Sequence, residues 1–201
     1  MKKLFLGLLS LSLIFGLAAC GSSSGSKDSS GGTSSSDSGS DSKAGSTAVV
    51  CFSGTGNTLD LAKQISNSLE ADLFEITPEQ PYTHEDLDYS SDDCRANQEM
   101  NNESARPAIA TDLTALSDYD TIYIGYPIWW GTAPRIINTL LESYDLTGKD
   151  LYLFCTSGGS SIDQSISDLH ALYPELTIVD GQRFAVAASE EEVEAWLANH
   201  H

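Results

Sequence analysis

The sequence predicts an α/β fold, a three-layer sandwich in which a five-stranded parallel sheet carries helices on both faces. Three observations lead there. The apolar runs at 48–52, 121–125 and 151–155 are unbroken, as in parallel strands covered on both sides. Amphipathic helical stripes lie between them, so strand and helix alternate along the chain. The first of these strands also ends in a loop of glycines and hydroxyl residues that opens directly into a helix, and in open α/β sheets ligands bind at such carboxyl ends.

Two segments precede the domain. Residues 1–20 carry Lys2 and Lys3, an apolar run from Leu4 to Leu17, and then Ala18-Ala19-Cys20. This resembles a bacterial lipoprotein signal peptide, and the resemblance implies cleavage before Cys20 and lipid on that cysteine. Localisation would then be extracytoplasmic, with the membrane touched only through the lipid. Residues 21–46 are almost entirely Ser, Gly, Asp and Lys and can bury nothing. A flexible coil of about 26 residues has a reach of roughly 30 Å, so this stretch reads as a tether. Residues 47–201 remain as one domain.

Within it, Ala48–Phe52 is the first strand, and Leu61, Ala62, Ile65 and Leu69 form the stripe of a helix over 58–70. A second strand follows at 72–76, ended by Pro78 and Pro81. From Thr77 to Ala110 the chain is polar and aperiodic, and an insert of that length in a compact domain is more often functional than idle. A brief helix over 111–116 takes Thr111 as its cap. The third strand, 121–125, runs into Tyr126-Pro127-Ile128-Trp129-Trp130-Gly131, where prolines and glycine stop both strand and helix. Ile136, Ile137, Leu140, Leu141 and Tyr144 mark the next helix, and 151–155 the fourth strand. Ser161 with Gln164 reads as a capping box ahead of Ile162, Ile166, Leu169 and Tyr173. The last strand lies at 176–179 and resumes at 183–186 after a turn at Asp180-Gly181. Ser189 and Glu192 cap a final helix that turns Val193, Trp196 and Leu197 inward.

A formal net charge of −19, more negative once the signal lysines are removed, disfavours nucleic acid as a partner. Such a surface serves solubility and can also steer a basic protein. Cys51 and Cys155 lie in strand-like apolar runs, where cysteine acts as a small core hydrophobe. Cys94 is the third cysteine of the domain, and no Cys or His spacing suggests a metal site. His84 and His170 read as ordinary exposed side chains, and no nucleophile elbow surrounds Ser160.

Three loops carry the chemistry. The first, Ser53-Gly54-Thr55-Gly56-Asn57-Thr58, aims N–H donors and a helix N-terminus at one spot, a place for an anion. It lacks the lysine of a nucleotide-triphosphate loop, since Asn57 and Thr58 follow Gly56. Leu59 stands where a dinucleotide fingerprint needs its third glycine, and Asn57 where a cysteine phosphatase needs its arginine. What remains suits a phosphate monoester that is held and not transferred. The second loop presents Tyr126, Trp129 and Trp130, flat surface for a flat ligand; at most one of two consecutive indoles turns easily into the core, which leaves the other free. The third, Thr156-Ser157-Gly158-Gly159-Ser160, offers backbone donors and close approach.

Ser53 to Thr58 matches the flavodoxin phosphate pattern, Ser/Thr-x-Thr-Gly-x-Thr, and the domain from Thr47 onward resembles a flavodoxin. The Tyr-Pro-Ile-Trp-Trp-Gly stretch is similar to a bacterial flavodoxin-like subgroup. The resemblance implies FMN as cofactor and no catalytic side chain or metal. Ser53, Thr55, Asn57 and Thr58 would hold the phosphate, with Gly54 and Gly56 making room. Pro127, Ile128, Trp129, Trp130 and Gly131 would line the isoalloxazine, and Thr156 to Ser160 would close its other edge. Two features depart from carrier flavodoxins: the third loop has no stacking tyrosine, and the insert is long, so that Arg95, Asn97 or Arg106 could reach the ring or a substrate. Arg106 equally suits a surface ion pair.

An electron carrier serving a redox partner protein or a small electron acceptor is the leading expectation. An FMN-dependent reductase using NAD(P)H and a quinone, with the insert as substrate pocket, is the second. A non-redox module gripping a phosphorylated ligand is the third, and loss of both indoles would leave its binding intact.

Overall fold

The computed structural model describes residues 46–200, so the signal-like segment, Cys20 and nearly all of the tether lie outside the described residues. Five strands form one sheet in the order β2-β1-β3-β4-β5: β1 (Thr47–Cys51), β2 (Asp72–Glu75), β3 (Thr121–Pro127), β4 (Asp150–Thr156) and β5 (Thr177–Phe184). Every pairing is parallel, which places all strand carboxyl ends on one edge. No helix among the described residues is long and apolar enough to cross a membrane.

Alternation along the central strands separates two cores. Val49, Cys51, Tyr123 and Phe154 face the helices α1 (Asn57–Leu69) and α5 (Glu190–Leu197), with Leu61, Ile65, Val193 and Trp196 packed on them. Ala48, Val50, Ile122, Ile124, Leu151 and Leu153 face the other way, under α3 (Arg135–Ser143) and α4 (Asp163–Leu172). Both faces of these strands are covered by apolar packing, which is why they read as continuous rather than alternating runs. At Gly125 the Phe154 ring occupies the space a side chain would take: a Cβ there would stand 2.2 Å from it.

The predicted elements are present, with three local corrections. Thr111 caps no helix: its hydroxyl donates to the Glu75 carbonyl and accepts from the Thr77 N–H, pinning the insert to β2, and the 3₁₀ turn begins at Thr114. Ser161 and Gln164 form no capping box; α4 starts after Ile162 without a side-chain cap, and Gln164 instead bonds Asp168. β5 is one strand, because a register shift beside Leu151 absorbs the extra residue and carries the pairing through Asp180 and Gly181. Gly181 serves close packing: a Cβ there would meet Ile166 at 2.7 Å. The Asp180 carboxylate accepts from the Trp196 indole and pairs with His200, tying α5 to the sheet edge. The capping box of Ser189 and Glu192 forms as expected.

Residues 77–110 are ordered by their own bonds. They hold a 3₁₀ turn at Glu85–Leu87 and the short helix α2 (Arg95–Asn101), whose Ala96 and Met100 are buried on the α3 side. Tyr82 donates to Glu99 at 2.5 Å, Arg95 bonds Glu99 at 2.6 Å, and the Arg95 guanidinium lies 4.1 Å over the Tyr82 ring.

Candidate functional site

The three loops converge because β1, β3 and β4 are neighbours and parallel, and each loop leaves from a carboxyl end. The loop from Ser53 to Thr58 follows β1. Ser53 Oγ accepts the Gly56 N–H at 3.0 Å and closes the turn. Gly56 is the N-cap of α1, with φ of +93°, a conformation glycine reaches without strain. Having no side chain, it caps nothing, so the first N–H groups of α1 lack an acceptor from the cap residue. No atom lies within 4 Å of where its Cβ would be. Thr55 and Asn57 are exposed and bonded to each other, available at the rim. An uncapped helix N-terminus behind open space and hydroxyl groups fits a phosphate.

Thr58 is placed differently from the others. It is buried, and its hydroxyl meets that of Thr156 at 2.7 Å. One of the two donates, so when Thr156 is the donor the Thr58 proton remains free for an anion.

The second loop follows β3 and is a tight hairpin. Trp129 and Thr132 exchange both backbone hydrogen bonds, at 3.0 and 3.1 Å, leaving Trp130 and Gly131 as its two central residues. Their φ angles are +48° and +84°. Positive φ at both positions marks a primed turn, where Asn, Asp or Gly is the usual first residue. A tryptophan there is strained, and strain of this kind concentrates at functional sites. The two indoles part company as the sequence implies. Trp129 is 3% exposed and packs edge-on against Phe52 and Tyr82, while Trp130 is 52% exposed. Pro127 and Ile128 are half-buried. The Ile128 N–H donates to the Thr156 carbonyl at 3.1 Å, a bond that sets the second and third loops side by side.

The third loop follows β4. Ser157 Oγ accepts the N–H groups of Gly159 and Ser160, at 3.1 and 2.8 Å, and folds the loop on itself. Gly158, Gly159 and Ser160 are exposed, and a Cβ at either glycine would meet nothing within 4 Å. Arg183 of β5 braces the loop from behind by donating to the Ser157 carbonyl at 2.8 Å.

The insert reaches this edge through side chains other than the expected ones. Arg95 is spent on Glu99 and the Gln80 carbonyl, Asn97 is buried and bonds the Ser91 carbonyl, and Arg106 forms a two-pronged ion pair with Glu142 at 2.7 and 2.8 Å. Leu87 instead rests on Gly54, 3.3 Å from where a Cβ would stand, and Tyr89 meets both Trp129 and Trp130. The only sequence signal for Tyr89 is an aromatic residue in an otherwise polar stretch.

The thiols of β1 and β4 take no part. Burial pushes the Cys155 thiol up to about 12, and burial first and the Glu75 carboxylate second raise that of Cys51 further. No group of His, Cys, Asp and Glu able to hold a metal ion occurs among the described residues. The edge therefore offers donors at one end, an exposed indole at the other and small residues beside it.

Comparison with known proteins agrees with this fold. A family model described as flavodoxin matches residues 46–200. The chain is 42% identical to a structure assigned as a flavoprotein from Bacteroides eggerthii, covering 77% of this chain and 96% of that one, with a TM-score of 0.73. A second, from Bacteroides uniformis, is also 42% identical over 77% of this chain and 98% of that one, with a TM-score of 0.74. A flavoprotein from Lactobacillus acidophilus, solved in complex with FMN, shares the fold at 24% identity, 77% and 99% coverage and a TM-score of 0.59. A search of curated proteins returned no match. The family match over the whole described domain, together with the two relatives at 42% identity, makes this chain a member of the flavodoxin family.

Proposed function

We infer that this domain binds FMN and transfers electrons, tethered outside the cytoplasmic membrane by lipid on Cys20. One observation carries the cofactor reading: the uncapped N-terminus of α1 and the half-exposed indole of Trp130 stand at the ends of adjacent parallel strands, β1 and β3. Ser53, Thr55, Asn57 and Thr58 hold the phosphate through backbone donors and side-chain groups, and Gly54 and Gly56 make room for it. Pro127, Ile128, Trp129, Trp130 and Gly131 flank the ring, and Thr156 to Ser160 border its other edge. The FMN complex of the L. acidophilus flavoprotein, with the same fold, supports this choice of ligand.

FMN, when bound, supplies the redox chemistry. The chain supplies placement and surroundings. Donors at the α1 N-terminus would offset part of the phosphate charge, Trp130 would offer an aromatic face, and the buried Trp129 beneath the loop would keep water from that side. The net charge of −19 adds a negative field, which disfavours further negative charge on the ring and lowers its potential. The same field favours a basic redox partner protein or a small neutral acceptor. The membrane reading is supported by the pattern ending in Cys20.

A visible absorption spectrum of the protein as purified, followed by FMN titration, tests the cofactor reading. Flavin bands and saturable binding are expected; a colourless protein that takes up no FMN overturns it. The second reading, an FMN-dependent NAD(P)H:quinone-type reductase, is favoured by the insert, whose Tyr89 helps border a hollow of about 170 Å³ beside Trp130. Turnover of NAD(P)H with a quinone separates the two, since a carrier alone gives none.

A further inference from the structure

Trp130 presents a problem of orientation. Its backbone is strained at φ of +48°, its side chain is 52% exposed, and a surface indole without neighbours samples several rotamers. Among the described residues its one ring contact is with Tyr89, at 5.4 Å between centroids and 78° between planes. Tyr89 in turn stands edge-on to Trp129, at 6.2 Å and 62°. Trp129 is itself buried and gripped by Phe52 and Tyr82 at 5.7 and 5.4 Å. The exposed indole is thus braced through Tyr89 on a rigid aromatic stack rooted in the core.

The turn that carries Tyr89 is tied to α2 by the bond from Asn97 to the Ser91 carbonyl, and it meets the first and second loops through side-chain packing. Its backbone bonds are local, from Leu87 to His84, Asp88 to Glu85, Tyr89 to Leu87 and Ser91 to Asp88. Leu87 seats it on Gly54, and Tyr89 seats it on the indoles. Tyr89 is 49% exposed, so its ring buries little and its position is poorly explained as core packing.

We propose that Tyr89 is a positioning residue that holds the Trp130 indole in the orientation in which it meets a flat ring bound between the second and third loops. This rests on the flavin reading above. Tyr89 acts through Trp130, without touching the ring: its aromatic ring makes the contact with Trp130, while its hydroxyl accepts a hydrogen bond from the buried Trp129 indole and fixes the tyrosine itself.

The test uses full-length protein freed of flavin and two separate probes, riboflavin for the ring end and inorganic phosphate for the glycine loop. Riboflavin is followed by quenching of its fluorescence and phosphate by calorimetry. Tyr89→Ala is expected to weaken riboflavin binding about three- to tenfold, the range an edge-to-face ring pair contributes, and Tyr89→Phe, which keeps the ring and loses only the hydroxyl's bond to Trp129, to weaken it by less than Tyr89→Ala does. Phosphate affinity stays unchanged in both, and Tyr89→Ala adds nothing further in a Trp130→Ala background. Additive effects of the two substitutions would mean that Tyr89 touches the ring directly, and equal loss of phosphate binding would mean general damage; either overturns the proposal. So does a Tyr89→Ala variant that binds riboflavin normally while Trp130→Ala does not. Should Trp130→Ala itself bind riboflavin normally, the flavin reading of the second loop falls first, and the proposal with it.

Discussion

The side-chain hydroxyls of Thr58 and Thr156, 98 residues apart in the chain, meet at 2.7 Å in a buried contact that ties the first loop to the end of β4. Each is the other's partner, so removing one leaves a buried hydroxyl unsatisfied. Thr156→Val should lower stability by about 1–3 kcal/mol, read from urea denaturation midpoints. The double substitution to valine should cost less than the sum of the two single ones, because it leaves no orphan. Simple additivity would show that the bond contributes little.

At Gly125 the constraint is steric. A methyl group there would lie 2.2 Å from the Phe154 ring in the middle of the sheet. Gly125→Ala should destabilise by about 1–3 kcal/mol or more, and Phe154→Leu in the same chain should return part of it. Thermal melting of the three variants checks this; a Gly125→Ala protein as stable as the parent would contradict it.

Gly56 is constrained by conformation and not by space, with φ of +93° and nothing near its absent Cβ. Gly56→Ala should therefore cost about 1–3 kcal/mol through strain alone. It should also weaken binding of inorganic phosphate while leaving riboflavin affinity close to that of the parent, since only the first loop is disturbed. Calorimetric titrations with each ligand distinguish the two effects.

Arg106 and Glu142 give a prediction in pH. The hydrogen bond from Arg106 holds the Glu142 carboxyl below its ordinary value of 4.5. A depressed folded pKa contributes stability that is fully present above the unfolded value and is lost as pH falls through the folded one. Arg106→Gln should thus be less stable than the parent at neutral pH, with the difference shrinking once pH drops below 4.5. Chemical denaturation of both proteins across that range measures it, and a constant difference down to strong acid would rule the pair out as its source. Solvent exposure of both side chains keeps the effect small.

Much of the fold was legible because its signals are local. Covered parallel strands produce unbroken apolar runs such as Ile122 to Ile124, and helices packed on a sheet repeat apolar residues as Ile136, Ile137, Leu140 and Leu141 do. The capping box at Ser189 and Glu192 involves residues three apart and formed as its spacing implies. The same pattern at Ser161 and Gln164 failed, because Ile162 is drawn into the core and the helix begins beyond the box. Asp180-Gly181 resembles a turn in one dimension, yet the glycine is there to admit Ile166 and the aspartate to receive Trp196 and His200, none of them adjacent in sequence.

The candidate site divides along the same line. Its three loops and the glycine at the head of α1 could be named from residue order, since a strand, a tight turn and a helix N-terminus are set by neighbours in the chain. That one indole of the Trp129-Trp130 pair must face outward also follows from chain geometry. Only the folded domain decided which one, through a hairpin whose central residues both take positive φ. The bond between Thr58 and Thr156 and the placement of Tyr89 on Trp130 likewise came from tertiary packing alone. Within the insert, Arg95 and Arg106 found acidic partners near them in space, and an aromatic ring with no ionic partner was left to reach the loops. Short-range periodicity encodes the scaffold, whereas contacts between distant segments depend on how the sheet brings those segments together.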